Sequence, residues 1–118
     1  MIVLAGKRVF LACGQTDLRQ SINGLAATVE GNFKLDPFDG ALFVFCNRRR
    51  NRLKILEFDA DGFWLHFKRL EKGKYSNWPT VGEEATMTLS GEELSILLGG
   101  TRIERKLKRD ELTARRVI

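Results

Sequence analysis

The stretch from Leu35 to Leu70, LDPFDGALFVFCNRRRNRLKILEFDADGFWLHFKRL, constrains this chain more than any other part of it. Apolar runs alternate there with short turn segments, and the pattern reads as three consecutive antiparallel strands: Ala41–Cys46, Leu53–Asp59 and Phe63–Leu70. The first is apolar on both faces, with Ala41, Phe43 and Phe45 on one and Leu42, Val44 and Cys46 on the other. Such a strand belongs inside a sheet, with a layer above it and a layer below.

The second and third strands can be placed in register by taking Asp61-Gly62 as a two-residue type I′ turn. Ala60 then opposes Phe63, Phe58 opposes Leu65, Leu56 opposes Phe67, and Lys54 opposes Arg69. The core face would carry Leu56, Phe58, Phe63, Leu65 and Phe67; the other would set Glu57 opposite His66, Asp59 opposite Trp64 and Ile55 opposite Lys68. At the end away from that turn, the loop Asn47–Asn51 carries three adjacent arginines. The register therefore gathers Arg48, Arg49, Arg50, Arg52, Lys54, Lys68 and Arg69 at one end of the sheet, with Asp59 and Asp61 at the other. Lys54 opposite Arg69 is a like-charge pair, destabilising unless an anion sits between them.

The charge distribution follows the same division. The formal net charge of the 118 residues is +5, yet residues 1–47 sum to zero. Residues 48–74 hold nine bases against four acids, residues 75–101 hold four acids and no base, and residues 102–118 hold seven bases against three acids. Two basic blocks are what a polyanionic partner would use.

Elsewhere the chain supplies the covering layers. Val9–Cys13 is a short apolar run, expected as a buried strand. Thr16 is placed to cap a helix over Asp17–Glu30, with Leu18, Ile22, Leu25, Ala26 and Val29 along one stripe. Gly24 weakens that helix and Gly31-Asn32 ends it. Thr86–Leu89 reads as another strand, and Ser90 caps a short helix, Gly91–Leu98, that presents Leu94, Leu97 and Leu98. The expected fold is α+β, a mainly antiparallel sheet of about five strands with one packed helix and a short second one. Residues 1–100 make one domain, and residues 101–118 form a basic tail that suits a helix, a strand or a segment ordered by a partner.

Function is less constrained. With 43% hydrophobic residues the chain can build a core. No run of about 18 apolar residues exists to span a membrane, and the apolar start before Gly6 is too short for a signal peptide, so a cytoplasmic protein is expected. Cys13 and Cys46 sit within apolar strand patterns and read as buried, reduced thiols. The arginine loop fits phosphate oxygens first, then an acidic protein surface, and last a solvated basic loop or one paired with acids such as Glu83 and Glu84. Tyr75 and Trp78 are candidate base-stacking residues, Phe67 being assigned to the core.

Catalytic signals are weak. His66 beside Glu57 resembles a base with its orienting group, although a lone strand histidine is commonly just hydrogen-bonded. Asp17, Asp36, Asp39, Asp59 and Asp61 invite comparison with two-metal sites, yet Asp36, Asp39 and Asp61 stand in turns, where Asp is favoured for backbone reasons. No zinc-ligand spacing, phosphate-cradling glycine loop or nucleophile elbow is present. No metal or other cofactor is expected. Thr16-Asp17-Leu18-Arg19 reads first as a cap, and second as a polar loop able to meet an anion.

Val9–Arg19, Gly24–Ala27, Leu35–Leu56, Asp61–Gly73, Trp78-Pro79 and Leu89–Leu98 together resemble the TnpB accessory proteins, the second open reading frame of IS66-family insertion sequences. The tail after Gly99 departs from that pattern. The resemblance implies a non-enzymatic protein encoded beside a large transposase and used with it in transposition. The expected partners are accordingly DNA at the ends of the insertion sequence, the co-encoded transposase and a second copy of the chain, with no membrane. The residues expected to contact DNA are Arg48, Arg49, Arg50, Arg52, Lys54, Lys68 and Arg69; the alternative is an adaptor that docks on the transposase without touching DNA.

Overall fold

A computed structural model describes Ile2 and residues 4–99. The basic stretch 101–118 lies outside the described residues. The elements are β1 (Val9–Ala12), α1 (Ile22–Gly31), β2 (Leu42–Cys46), β3 (Arg52–Asp59), β4 (Gly62–Arg69), β5 (Thr86–Leu89) and α2 (Gly91–Leu98). They form an α+β structure around one five-stranded sheet in the order β4-β3-β2-β1-β5.

All five residues of β2 are buried, as its two apolar faces require. One face, with Ala41, Phe43 and Phe45, packs with Ala12 and Leu56 under Leu25 and Val29 of α1. Phe10 stacks on Phe43 at 5.7 Å and Phe33 on Phe45 at 6.0 Å between ring centroids. The other face, with Leu42, Val44 and Cys46, meets Leu94 and Leu97 of α2 together with Tyr75 and Trp78. The sheet is thus the middle of three layers.

The sheet is mixed. β1 runs parallel to β2, pairing Val9 with Leu42, while the other three neighbouring pairs are antiparallel. A parallel pair needs a crossover connection, and α1 is that crossover. The helix begins at Ile22, well after the expected start at Asp17. The Thr16 N–H is committed to the Cys46 carbonyl at 2.8 Å, and Asp17 Oδ1 accepts from the Arg19 N–H at 3.0 Å. Both bonds hold residues 16–19 as a loop against the end of β2, and Ser21, not Thr16, stands at the N-cap position. α2 behaves as expected: the Ser90 hydroxyl accepts from the Glu93 N–H, and the Glu93 carboxylate accepts from the Ser90 N–H.

The β3–β4 hairpin departs from the expected register by two residues. Its turn is Ala60-Asp61, with Ala60 at φ +55°, and Phe58 faces Phe63, Leu56 faces Leu65, Lys54 faces Phe67 and Arg52 faces Arg69. Aromatic packing accounts for the choice. Phe58 meets Phe63 edge-on at 5.1 Å, and Phe38 closes on both rings at 5.2 Å, a cluster that the expected pairing would pull apart. A shift of two keeps each side chain on its face. The like-charge pair is therefore Arg52–Arg69, and Glu57 lies opposite Trp64.

Two substitutions probe these layers. Phe43→Ala should lower unfolding free energy by about 3–5 kcal/mol through a central cavity, and Ser90→Ala by about 1 kcal/mol through loss of the cap. Urea unfolding followed by circular dichroism measures both, and equal effects would contradict the central position of β2.

Candidate nucleic-acid interface

The basic end of the sheet is built on a locked loop. Asn47 Oδ1 accepts from the backbone N–H groups of Asn51 and Arg52 at 3.1 and 3.0 Å, and its Nδ2 donates to Asn51 Oδ1 at 2.8 Å. Arg50 adopts φ +63°. Its carbonyl accepts from the Tyr75 N–H at 2.7 Å, and its guanidinium donates to the Gly14 carbonyl at 3.0 Å. Gly14 is required here: it sits at φ +76°, and an added Cβ would come within 2.4 Å of Val81. Arg50 thus ties three segments together, and Arg48 and Arg49 are left at the exposed tip.

Arg48 and Arg49 line an open groove of about 700 Å³ with Arg52, Lys54 and Phe67 from the hairpin and residues 15–19 from the loop before α1. Among the described residues, no carboxylate lies within ion-pair distance of Arg48, Arg49 or Arg52. Lys54 lines the groove but its ammonium is spent within the fold, donating to the carbonyls of Leu18 and Gln20 at 2.6 and 2.9 Å. Arg69, exposed at the end of β4, holds Glu71 at 2.9 Å. Lys68 belongs to the opposite face of the sheet, where its ammonium donates to the Leu98 carbonyl.

The seven expected residues therefore share one end of the sheet without forming one surface. Arg48, Arg49, Arg52 and Lys54 come together; Arg50 and Lys68 turn elsewhere, and Arg69 stands outside the groove lining. Arg19 joins the groove, a residue absent from the expected set although the Thr16–Arg19 loop was legible as a possible polar site. Its guanidinium grips Asp17 through two oxygens, at 3.0 and 2.7 Å. Those hydrogen bonds hold the Asp17 carboxyl down to about 2.

The aromatic assignments reverse. Phe67 is 56% exposed in the groove: it projects from the edge strand opposite Lys54, outside the cluster that takes in Phe63 and Leu65. Tyr75 and Trp78 are buried, Trp78 donating its indole N–H to the Ala12 carbonyl at 2.9 Å. They belong to the core and offer no stacking surface.

Both cysteines are free thiols, Cys46 buried and Cys13 half-buried. Burial pushes the Cys46 thiol up to about 11 against the pull of Arg50. The His66–Glu57 contact, 3.4 Å, is diagonal, and Glu57 also takes Lys7 at 2.9 Å, so the carboxylate links β4 to the segment before β1. Among the described residues no group of three His, Cys, Asp or Glu side chains is placed to hold a metal ion, and no helix is long and apolar enough to cross a membrane.

Comparison with known proteins gives the family of the chain. The model of the IS66 Orf2-like proteins matches residues 7–108. The chain belongs to that family. Its match runs past Gly99, so the sequence keeps the family pattern further than the Leu89–Leu98 motif indicated. The family is an accessory component of the IS66 transposition system and not a known enzyme. The uncharacterized protein y4hO of Sinorhizobium fredii is 41% identical over 93 residues, covering 79% of each chain. The uncharacterized protein y4jC of the same organism is 38% identical over 104 residues, covering 86% of this chain and 87% of its own. No solved structure matches the chain.

Two titrations follow from the geometry. The Asp17 carboxyl, followed by NMR, should titrate near 2, and in Arg19→Ala it should move up toward the ordinary value of about 3.9. Because the folded value is depressed, the contribution of this contact to loop order is complete above about pH 4 and fades as pH falls through 2. An unchanged midpoint in the variant would remove Arg19 as the cause. With a thiol reagent at about pH 8, Cys46 should stay unmodified in the folded protein and react on unfolding.

Proposed function

We propose that this protein is a non-catalytic accessory factor for transposition of its insertion sequence, and that it holds DNA in the arginine groove. The observation that carries this reading is the convergence of Arg48, Arg49 and Arg52 on one groove, free of carboxylate partners among the described residues, beside the exposed ring of Phe67. Guanidinium groups match phosphate oxygens in charge and geometry. An aromatic face at the groove wall suits a base or the edge of a sugar. The locked loop supports the same reading, since a backbone fixed before binding loses little further freedom on contact.

Arg50 and Lys54 act in this reading as struts that shape the groove, and Arg19 is poised to exchange Asp17 for a phosphate. The partner DNA is the end of the insertion sequence, and the co-encoded transposase supplies the chemistry.

Binding of the purified full chain to the element's terminal repeats and to random DNA, titrated with salt, tests the proposal. Replacing Arg48, Arg49 and Arg52 together with Ala should weaken binding at least about tenfold and flatten the log–log salt slope by about 2–3, since each neutralised phosphate contributes about 0.9. The fold should survive, whereas Arg50→Ala should destabilise the protein itself. Unchanged affinity and slope in the triple variant would overturn the proposal. Capture by the transposase in the presence of nuclease, with no affinity for DNA, would establish the adaptor reading instead.

A further inference from the structure

β4 is the edge of the sheet, eight residues long, paired on one side with β3 and with no strand on the other among the described residues. A long edge strand is a template for further pairing. Its outward groups can be identified. The Leu70 N–H donates to the Asn51 carbonyl at 2.7 Å, and in an antiparallel pair the hydrogen-bonded residues alternate. Trp64, His66 and Lys68 therefore direct their backbone groups to β3, while Phe63, Leu65, Phe67 and Arg69 direct theirs outward. Trp64 and Phe67 are 58% and 56% exposed, one on each face of this edge.

The side chains along the edge form a palindrome about Leu65. Phe63 and Phe67 lie two residues to either side of it, Trp64 and His66 one residue, and Asp61 and Arg69 four. We infer that β4 pairs antiparallel with β4 of a second copy, with Leu65 on the two-fold axis. This register uses the outward-facing backbone groups of both strands. It sets Phe63 against Phe67 of the other copy, and Trp64 against His66 of the other copy, each pair occurring twice. It also brings Asp61, exposed at the hairpin turn, against Arg69 of the other copy. Aromatic cross-strand pairs and opposite charges are the favourable combinations on a sheet. Arg69 engages Glu71 through Nε, and a guanidinium has further N–H donors to offer.

Charge complementarity selects a copy of the same chain as the occupant. In a parallel arrangement, or with Leu65 off the axis, the basic end of β4 would lose its acidic counterpart. The two-fold axis stands normal to the sheet, so both arginine grooves open on the same side of one continuous sheet. Phe67 stands both in this interface and at the groove wall, so association is measured without DNA.

Sedimentation equilibrium of the DNA-free full chain, together with its charge variants, tests this. The native chain should be a dimer at micromolar concentration. Asp61→Arg and Arg69→Asp each place like charges at both ends of the interface, and each alone should raise the dissociation constant at least about tenfold, the equivalent of about 1.4 kcal/mol. Mixed in equal amounts, the two variants should form a heterodimer. One end of its interface then carries the native acid–base pair, and the other carries the same pair with the charges exchanged. A misfolded variant could not produce that recovery. A native chain that stays monomeric, or a mixture no more associated than its components, would overturn the inference.

Discussion

The structure depends on the burial of β2 on both faces. The consecutive residues from Ala41 to Cys46 are almost wholly withdrawn from water, and no arrangement with helices on one side only could achieve that. The constraint propagates outward. β2 must have a strand on each side, one layer carrying α1 and a second carrying α2 with Tyr75 and Trp78. The parallel β1 partner follows from placing α1 between two strands of one sheet, since the chain must cross over and return in the same direction.

The same strand sets the position of the groove. Where β2 ends, the Cys46 carbonyl holds the Thr16 N–H and the Asn47 side chain ties the arginine loop. The groove is the space between those two tethered segments. Its shape is maintained by cations that a charge count would have assigned to a ligand: Lys54 bridges to the carbonyls before α1, and Arg50 spans from the loop to Gly14. Buried ends of segments leave carbonyls in need of donors, and a long cationic side chain supplies them with little desolvation because its stem packs along apolar surface. Basicity in this chain therefore serves two ends, one internal and one facing outward.

Much of this organisation was legible in residue order. The doubly apolar run 41–46, the three-strand stretch, the capping box at Ser90 and the basic end of the sheet are local patterns with local causes. The hairpin register was not. Asp61-Gly62 is a sound turn by propensity, but the Phe38, Phe58 and Phe63 rings pack only with the turn one residue earlier, and Phe38 is distant from Phe58 in the chain. Thr16 illustrates the same limit. Its type and position suit a helix cap, but its backbone is tethered to the end of β2 and the helix starts later, with Ser21 at its N-cap position.

The sequence by itself determined that β2 lies inside a layered α+β sheet, that one end of the sheet is basic, and that the chain resembles IS66 accessory proteins. These follow from hydrophobic periodicity, charge order and motif, all of which are written along the chain. Only the tertiary structure decided which bases face solvent and which brace the fold, and it exchanged the roles of Phe67 and the Tyr75–Trp78 pair. Exposure of one side chain depends on where distant cover ends, and the cluster under α1 takes in Phe63 and Leu65 of the edge strand but not Phe67. A carbonyl left without a donor at Leu18 or Gly14 likewise arises only when remote segments meet.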